Sequence, residues 1–311
     1  MRLEVVVPTY NRADLLRGCL KSLHTAVVPD GLTVGVTVVD NNSKDRTRAV
    51  VESWKEQFGG RLRYLLEPVQ GRSAALNAGI RGSESDFVGF IDDDEEIDET
   101  WYQTVHHAFT TCDIDFIGGP YIPNWEKEPP GWLPSDHEGV IGLVDAGSEI
   151  IPYDENYPGI LMGGNAVIRR AVLEKVGLYT TSLGRTGARL LAGEDDDMCR
   201  RLLASGARGL YLPQLKIYHL IPASRLTKKY YRSWSFWRGV SCGLLDRTQP
   251  QDVPYFCGVP RYLVGAASRG LPRWSIAPLR RAAASQTFSH ELAIWDLAGF
   301  FYGKHFYKTI V

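Results

Sequence analysis

The 311-residue chain has no apolar run approaching the roughly 18 residues that a membrane-spanning helix needs. Its N-terminal apolar stretch, in MRLEVVVPTYNR, is interrupted by Glu4 and Pro8 and is too short for a signal peptide. Its five cysteines (Cys19, Cys112, Cys199, Cys242, Cys257) show no CxxC spacing. That argues against a zinc ribbon, a thioredoxin motif and a dense disulfide framework, and makes a reducing compartment the simpler expectation. Neither a P-loop nor a GxGxxG fingerprint occurs. With 35 Lys and Arg against 36 Asp and Glu, the net charge of −1 does not indicate a globally basic nucleic-acid binder, and no nucleic-acid module is recognisable.

What is present is globular: 44% hydrophobic residues, with 8 Trp, 15 Tyr and 11 Phe. The length suits one large domain, or a domain with an appended piece. Charge is unevenly spread. Through Ser224 there are 22 Lys and Arg against 32 Asp and Glu, leaving −10; from Arg225 onward there are 13 against 4, leaving +9. A basic C-terminal segment meets an anionic membrane surface, a lipid phosphate or the acidic part of its own chain, or it is a solvated face.

Apolar runs alternate with helical patterns. LEVVV at 3–7 predicts a strand, and Leu15, Leu16, Cys19, Leu20 and Leu23 predict one face of a helix. Val34–Val39 predicts a second strand, with Ser43 as N-cap of a helix buried through Val50, Val51, Trp54 and Phe58. A strand at Leu62–Leu66, a helix at Ser73–Ile80 and a strand at Phe87–Ile91 follow. This is the pattern of βαβ units around a mainly parallel sheet, whose ligands lie beyond the carboxyl ends of the strands. Three strand ends are conspicuously polar and are expected to converge: Thr9-Tyr10-Asn11-Arg12, Asp40-Asn41-Asn42-Ser43 and Asp92-Asp93-Asp94-Glu95-Glu96. The Pro/Gly/Trp-rich stretch YIPNWEKEPPGWLPSDHEG reads as a loop over the site. Beyond it, 160–178 predicts strand and helix, Glu194–Ala204 a helix, and Leu210–Tyr218 a strand ending at His219.

From Arg225, helical spacing sets Leu226, Tyr230, Trp234, Trp237 and Leu244 on one stripe and Arg225, Lys228, Lys229 and Arg232 on another. A second basic stretch, RGLPRWSIAPLRRAAA, and an aromatic ending, FFYGKHFYK, follow. Aromatics beside Lys and Arg suit a helix lying in a membrane surface; a helix packed on the core looks much the same, and a dimer interface is a third use.

Adjacent like charges repel, so Asp92-Asp93-Asp94 after FVGFI needs a divalent cation or Lys/Arg to offset it. Magnesium or manganese bridging to a diphosphate is the natural candidate; the bland alternative is an acidic turn capping a helix near Asp98–Phe109. The run Glu194-Asp195-Asp196-Asp197 opens a helix, where carboxylates answer the macrodipole, yet four in succession exceed that need and offer a general base. His219 is a candidate manganese ligand or a satisfied core histidine. Arg72, in Gly71-Arg72-Ser73, meets phosphate or a sugar hydroxyl, or is solvated.

In this order, VVVPTYNR, VVDNNSKDRT, GRSAALNAGI, FIDDDEE, GGNAVIRR, GEDDDMCRRL and IYH resemble the motifs of the family 2 glycosyltransferases of GT-A fold, over roughly residues 1–220. The resemblance implies an α/β, Rossmann-like, mainly parallel sheet flanked by helices. It implies a catalytic domain at 1–224, with a nucleotide-binding half at 1–119 and an acceptor and catalytic half at 120–224. A helical, basic, aromatic-rich extension occupies 225–311.

The same resemblance implies an inverting enzyme that moves sugar from a nucleoside-diphosphate sugar, UDP by default, to a glycan or lipid-linked hydroxyl in surface polysaccharide or glycolipid synthesis. Pro8, Thr9, Tyr10, Asn11, Arg12 and Asp40 resemble the nucleotide-binding positions, and Arg72 and Asn77 those facing the nucleotide-sugar. Asp92, Asp93 and Asp94 resemble the DxD-type motif, the middle acid meeting ribose; Asp94, Asp92 and His219 are the implied ligands of a manganese or magnesium ion. Asp195 resembles the catalytic base, with Glu194 as runner-up, and Gly164 and Asn165 resemble acceptor and donor-sugar contacts. The expected location is cytoplasmic, peripheral on the inner face of the plasma membrane, as a monomer or homo-oligomer. Two other functions compete: a magnesium-dependent phosphohydrolase, although Glu96 stands where its motif wants Thr or Val, and a nucleotide-sugar-binding protein without catalysis.

Overall fold

Short apolar runs with both faces covered give the strands of the first unit. The computed structural model describes residues 1–185, 190, 193–248, 250–280 and 284–307, without the side chains of 135, 136, 248, 271–280 and 284. The chain divides into one unit of Met1–Asn124, Leu143–Thr181 and Glu194–Leu220, and a second of Trp125–Gly142, Ser182–Gly193 and Ile221–Val311.

In the first unit, β1 (Arg2–Thr9) is followed by α1 (Ala13–Thr25), β2 (Thr33–Asp40), α2 (Thr47–Trp54), β3 (Leu62–Leu66), α3 (Arg72–Arg81) and β4 (Phe87–Phe90). The four strands pair in parallel, in the order β3-β2-β1-β4. Helix α1 buries Leu16, Leu20 and Leu23 with Cys19, as its spacing predicts; each buried leucine contributes about 1.5–3 kcal/mol relative to exposure. Register sets Thr9 level with Asp40, and β4 runs alongside β1, so Asp92–Asp94 leave the sheet at the same carboxyl end. The polar strand ends do converge.

After them come β5 (Glu95–Ile97), α4 (Trp101–Thr111), β6 (Phe116–Gly118), β7 (Tyr121–Trp125), β8 (Ile151–Pro152), β9 (Ala166–Arg169), α5 (Arg170–Val176), α6 (Glu194–Ala204), β10 (Gly209–Tyr211) and β11 (Ile217–Ile221). The large sheet continues β4-β9-β6-β10-β8, with β9 antiparallel to both neighbours, and β5-β11-β7 form a small separate sheet. This is an α/β fold around a mainly parallel sheet.

Four local expectations are corrected. Ser43 does not cap α2: its N–H closes a turn onto Asp40 and its hydroxyl accepts from Asn11, while Asp45 accepts from the N–H and hydroxyl of Thr47 where α2 begins. The single strand predicted at 210–218 is two, in different sheets, because Pro213 has no N–H and Leu212–Leu215 turns; β11 then runs through His219 to Ile221. The 121–139 stretch is not all loop, since Tyr121–Trp125 is a strand and Ser135–Ile141 a 3-10 helix. The bland capping alternative for the acidic run also fails: α4 starts at Trp101 after Thr100 with no side-chain cap, and Asp98 only closes the turn before it by accepting from the N–H and hydroxyl of Thr100.

The second unit is built on α7 (Lys228–Thr248), a hairpin of β12 (Tyr255–Phe256) and β13 (Val259–Pro260), α8 (Arg261–Arg280) and α9 (Ala284–His305). Its helical character is as expected, but the expected stripes on α7 are not the buried one. The buried residues are Tyr231, Ser235, Gly239, Val240, Ser241, Gly243 and Asp246. Gly239 and Gly243 of α7 face Gly299 and Gly303 of α9, where any added Cβ would meet the opposing backbone, so the two helices run in close contact. Arg232 pairs with Glu291, Arg238 with Asp296 and Lys304 with Asp246. Of the predicted basic stripe, Arg232 is used in this way and the Lys228 ammonium lies 5.2 Å over the Phe288 ring of α9. Of the second basic stretch, the side chains of 271–280 and residues 281–283 lie outside the described residues, as does Lys308. No helix among the described residues is long and apolar enough to cross a membrane.

Candidate active site

The loops after β1 and β2 brace one another. Asn11, at φ +53°, donates its N–H to Ser43 Oγ (2.9 Å) and accepts from the Lys44 N–H (2.7 Å), while Asp45 accepts from the Ala13 N–H at the start of α1 (2.9 Å). Asn tolerates this left-handed conformation better than most residues, which is why it suits the turn. Asp40 is buried and accepts from Ser43 and from Tyr64 Oη (2.7 Å); burial, and then that bond, push the Tyr64 phenol up to about 12. Pro8 is interior to β1, and Tyr10 is exposed beside the strand end.

At the end of β4 the three aspartates divide between two arginines, Asp92 on Arg72 and Asp93 with Asp94 on Arg12. Asp92 meets Arg72 (3.1 Å), Asp93 accepts from Thr9 Oγ1 (2.7 Å) and Arg12 (2.9 Å), and Asp94 accepts from Arg12 (3.1 Å). Burial pushes the Asp93 carboxyl up to about 7; Arg12 opposes that shift, Asp94 adds to it and Thr9 opposes it. Glu95, beneath them, accepts from the Asp92 N–H (2.7 Å) and is held well above the usual carboxyl range by burial and by Asp92 and Asp94.

Antiparallel pairing of β11 with β5 sets His219 opposite Glu95, with its Nε2 3.8 Å from Asp94. One oxygen from each of Asp92, Asp94 and Glu95 lies within 4.8 Å of the others. Hard carboxylate oxygens with one imidazole suit manganese or magnesium. The donor set fits a divalent cation: of the three ligands expected from sequence, Asp92 and Asp94 fall in the cluster, Glu95 is the third clustered carboxylate, and His219 lies beside Asp94.

Helix α6 brings its first turn to the same place, and its four acids separate by role. Asp196 pairs outward with Arg200 (3.1 Å), and Asp197 accepts from Thr180 (2.8 Å) and Arg201 (2.9 Å). Glu194 and Asp195 instead meet Arg72, at 3.3 and 3.2 Å. The Asp195 side chain is 16% exposed against 8% for Glu194, so Asp195 is the more accessible of the two. Gly163 and Gly164 have no room for a side chain, because the carboxylates of Asp195 and Glu95 fill it.

Two predicted contacts turn away from the site. Asn77 exchanges two hydrogen bonds with the Tyr179 backbone (both 2.8 Å). Asn165 accepts from Trp101 Nε1 (2.9 Å) and donates to the carbonyls of Leu215 (2.6 Å) and Pro120 (3.3 Å). Both amides are buried and hydrogen-bonded within the fold, where they hold backbone in position.

Sequence reasoning missed Tyr121. It is 4% exposed, its ring stands edge-on to His219 at 6.2 Å, and its hydroxyl has no hydrogen-bond partner. Burial, then Glu95, Asp92 and Asp195, raise its pKa well above the usual range, so it remains an O–H donor. Only its place at the head of an irregular Pro-rich stretch could have drawn attention to it.

The family model described as "Glycosyl transferase family 2" matches residues 4–177. The chain is 26% identical over 240 residues to the succinoglycan biosynthesis protein ExoM of Rhizobium meliloti, spanning 75% of this chain and 73% of that protein. It is 26% identical over 260 residues to the glucosyl-dolichyl phosphate glucuronosyltransferase of Haloferax volcanii, spanning 81% and 79%. The fold is similar to that of the mannosyltransferase PcManGT from Pyrobaculum calidifontis, solved in complex with GDP-Man and Mn2+, with a TM-score of 0.65, 18% identity and coverage of 99% and 88%.

Proposed function

The chain belongs to glycosyl transferase family 2, and from that premise we propose that it transfers a sugar, with inversion, from a nucleoside-diphosphate sugar to the hydroxyl of a lipid-linked glycan. The observation that carries this reading is a single guanidinium, Arg72, touching both Asp92 at the end of β4 and Asp195 at the start of α6. Donor-holding and base functions thereby meet within one side chain's reach. Family membership removes the phosphohydrolase alternative. The acid pair Glu194 and Asp195 beside the aspartate run speaks against a protein that only binds nucleotide-sugars.

Asp195 takes the proton of the acceptor hydroxyl, whose oxygen forms a bond to the anomeric carbon from the face opposite the diphosphate. The carbon–oxygen bond to phosphate breaks, and its electron pair leaves with the nucleoside diphosphate. Arg12 and Arg72 offer charge-assisted donors to the diphosphate oxygens. Asp94, His219 and Asp92 would hold a divalent cation, which when bound supplies positive charge to the leaving diphosphate. The relatives' names support the acceptor class: one acts on glucosyl-dolichyl phosphate, and one belongs to succinoglycan biosynthesis. UDP is the favoured donor nucleotide.

Ligand that binds only the native state raises the melting temperature, so UDP-, dTDP- and GDP-sugars tested with manganese, magnesium and chelator discriminate. We expect UDP-sugars to raise it only with cation present. No shift with any nucleotide would overturn the donor reading.

Tyr121 supplies an independent check. A buried hydroxyl without a partner costs about 1–3 kcal/mol, and a hydrogen bond to a charged group returns about 1.5–3 kcal/mol. If that partner is substrate, Tyr121→Phe lowers kcat/KM by roughly tenfold or more while the melting temperature of the free protein stays level or rises. Unchanged kcat/KM in steady-state assays would make Tyr121 a packing residue only.

A further inference from the structure

Helix α9 is apolar on the side it buries and also on the side it exposes. Leu292, Gly299, Phe300 and Gly303 are buried, whereas Trp295, Ala298, Phe301, Tyr302 and His305 recur at helical spacing on an exposed face that Phe306 extends. Phe301 is 43% exposed and Phe306 61%, and the two rings lie 5.8 Å apart. The β12–β13 hairpin adds an exposed Phe256, and its Gly258 abuts His305. An apolar face of this size on a solvated helix calls for an occupant.

We propose that this face seats the protein on an anionic lipid bilayer, lying in the interface without crossing it. Charge separates that occupant from the others. Of the four acids in 225–311, Asp246, Glu291 and Asp296 are paired with Lys304, Arg232 and Arg238, and the sequence of this segment sets thirteen Lys and Arg against the four. Arg247 sits at the same end of the helix pair, donating to the carbonyls of Lys304 and Tyr307, and Arg261 is exposed beside the hairpin. The 125–142 segment of this unit carries acids, but it packs at the opposite end, where Trp132 meets Tyr231 and Phe288. A second copy would bring the same +9 segment against itself, whereas anionic headgroups attract it. Trp, Tyr and Phe side chains with a polar edge or flanking cations suit the headgroup boundary. The surface stands on α9 and its neighbours alone, so it does not depend on which sugar is moved.

Co-sedimentation of the full chain with phosphatidylcholine vesicles, with and without phosphatidylglycerol, tests this. The wild type is expected to pellet with the anionic vesicles, and Phe301→Asp with Phe306→Asp to weaken partitioning at least tenfold without lowering the melting temperature. The milder pair Phe301→Ser with Phe306→Ser must move in the same direction. The proposal is overturned if wild type stays in the supernatant, or if both paired variants pellet like wild type. It is also overturned if sedimentation velocity finds a wild-type dimer that these substitutions dissociate, which would assign the face to a second copy.

Discussion

Asp195→Asn is expected to lower kcat by about 10²–10⁴-fold, the range a positioned general base supplies, while the donor's dissociation constant changes by less than about threefold. The substitution keeps size, and the amide oxygen still accepts from Arg72, so the surrounding contacts survive; only the ability to take a proton is lost. The two acids that follow it cannot replace it. Asp196 points outward to Arg200, and Asp197 is held by Thr180 and Arg201. Asp196→Asn is the matched control and should leave kcat within about twofold, because an exposed i,i+4 pair contributes only a few tenths of a kcal/mol. Glu194 is the acid to suspect if the expectation fails. Pre-steady-state turnover with donor titrated separately distinguishes the cases: lost donor affinity with normal turnover of bound donor would place the base elsewhere.

Strands β1–β4 and helices α1–α3 were legible because their signal is local. Continuous apolar runs mark β1, β2 and β4, and the stripe Leu16, Cys19, Leu20, Leu23 marks α1; each needs only a window of the chain. The aspartate run was legible as a site for a related reason, since adjacent like charges demand an answer wherever the chain goes. What was not legible depends on partners far away in sequence. Asn77 and Asn165 sit in motifs that look like ligand contacts, but their partners are at 179 and at 101, 120 and 215, and no local pattern announces them. The middle of the buried line of α7 is glycine because α9 approaches closely there, so the stripe of Tyr230, Trp234 and Trp237 read from its spacing is not the face it buries. Within Glu194–Asp197, spacing alone could not separate four consecutive acids; Arg72, Arg200, Arg201 and Thr180 do so by claiming them in different directions.

Asp94→Asn should have the other large effect, of a different kind. Its carboxylate lies between Arg12 and His219 and is one of three whose oxygens cluster, so it is the acid whose removal most weakens cation binding. Loss of one electrostatic stabiliser of a developing charge costs on the order of 10²–10³ in rate, and kcat/KM is expected to fall by about that factor. Two further readouts separate this from general damage. The cation-dependent thermal shift with donor should vanish, leaving the same response with and without chelator. The free protein should melt no lower than wild type, because the substitution removes one negative charge from a crowded group while Arg12 keeps its contact with Asp93. A variant that retains the cation-dependent shift and near-normal kcat/KM would remove Asp94 from the cation site and leave its carboxylate with Arg12 as a structural pair. A variant that melts well below wild type would mean that the Arg12–Asp94 pair holds the loop after β4 in place, and His219→Asn would then carry the test of cation binding.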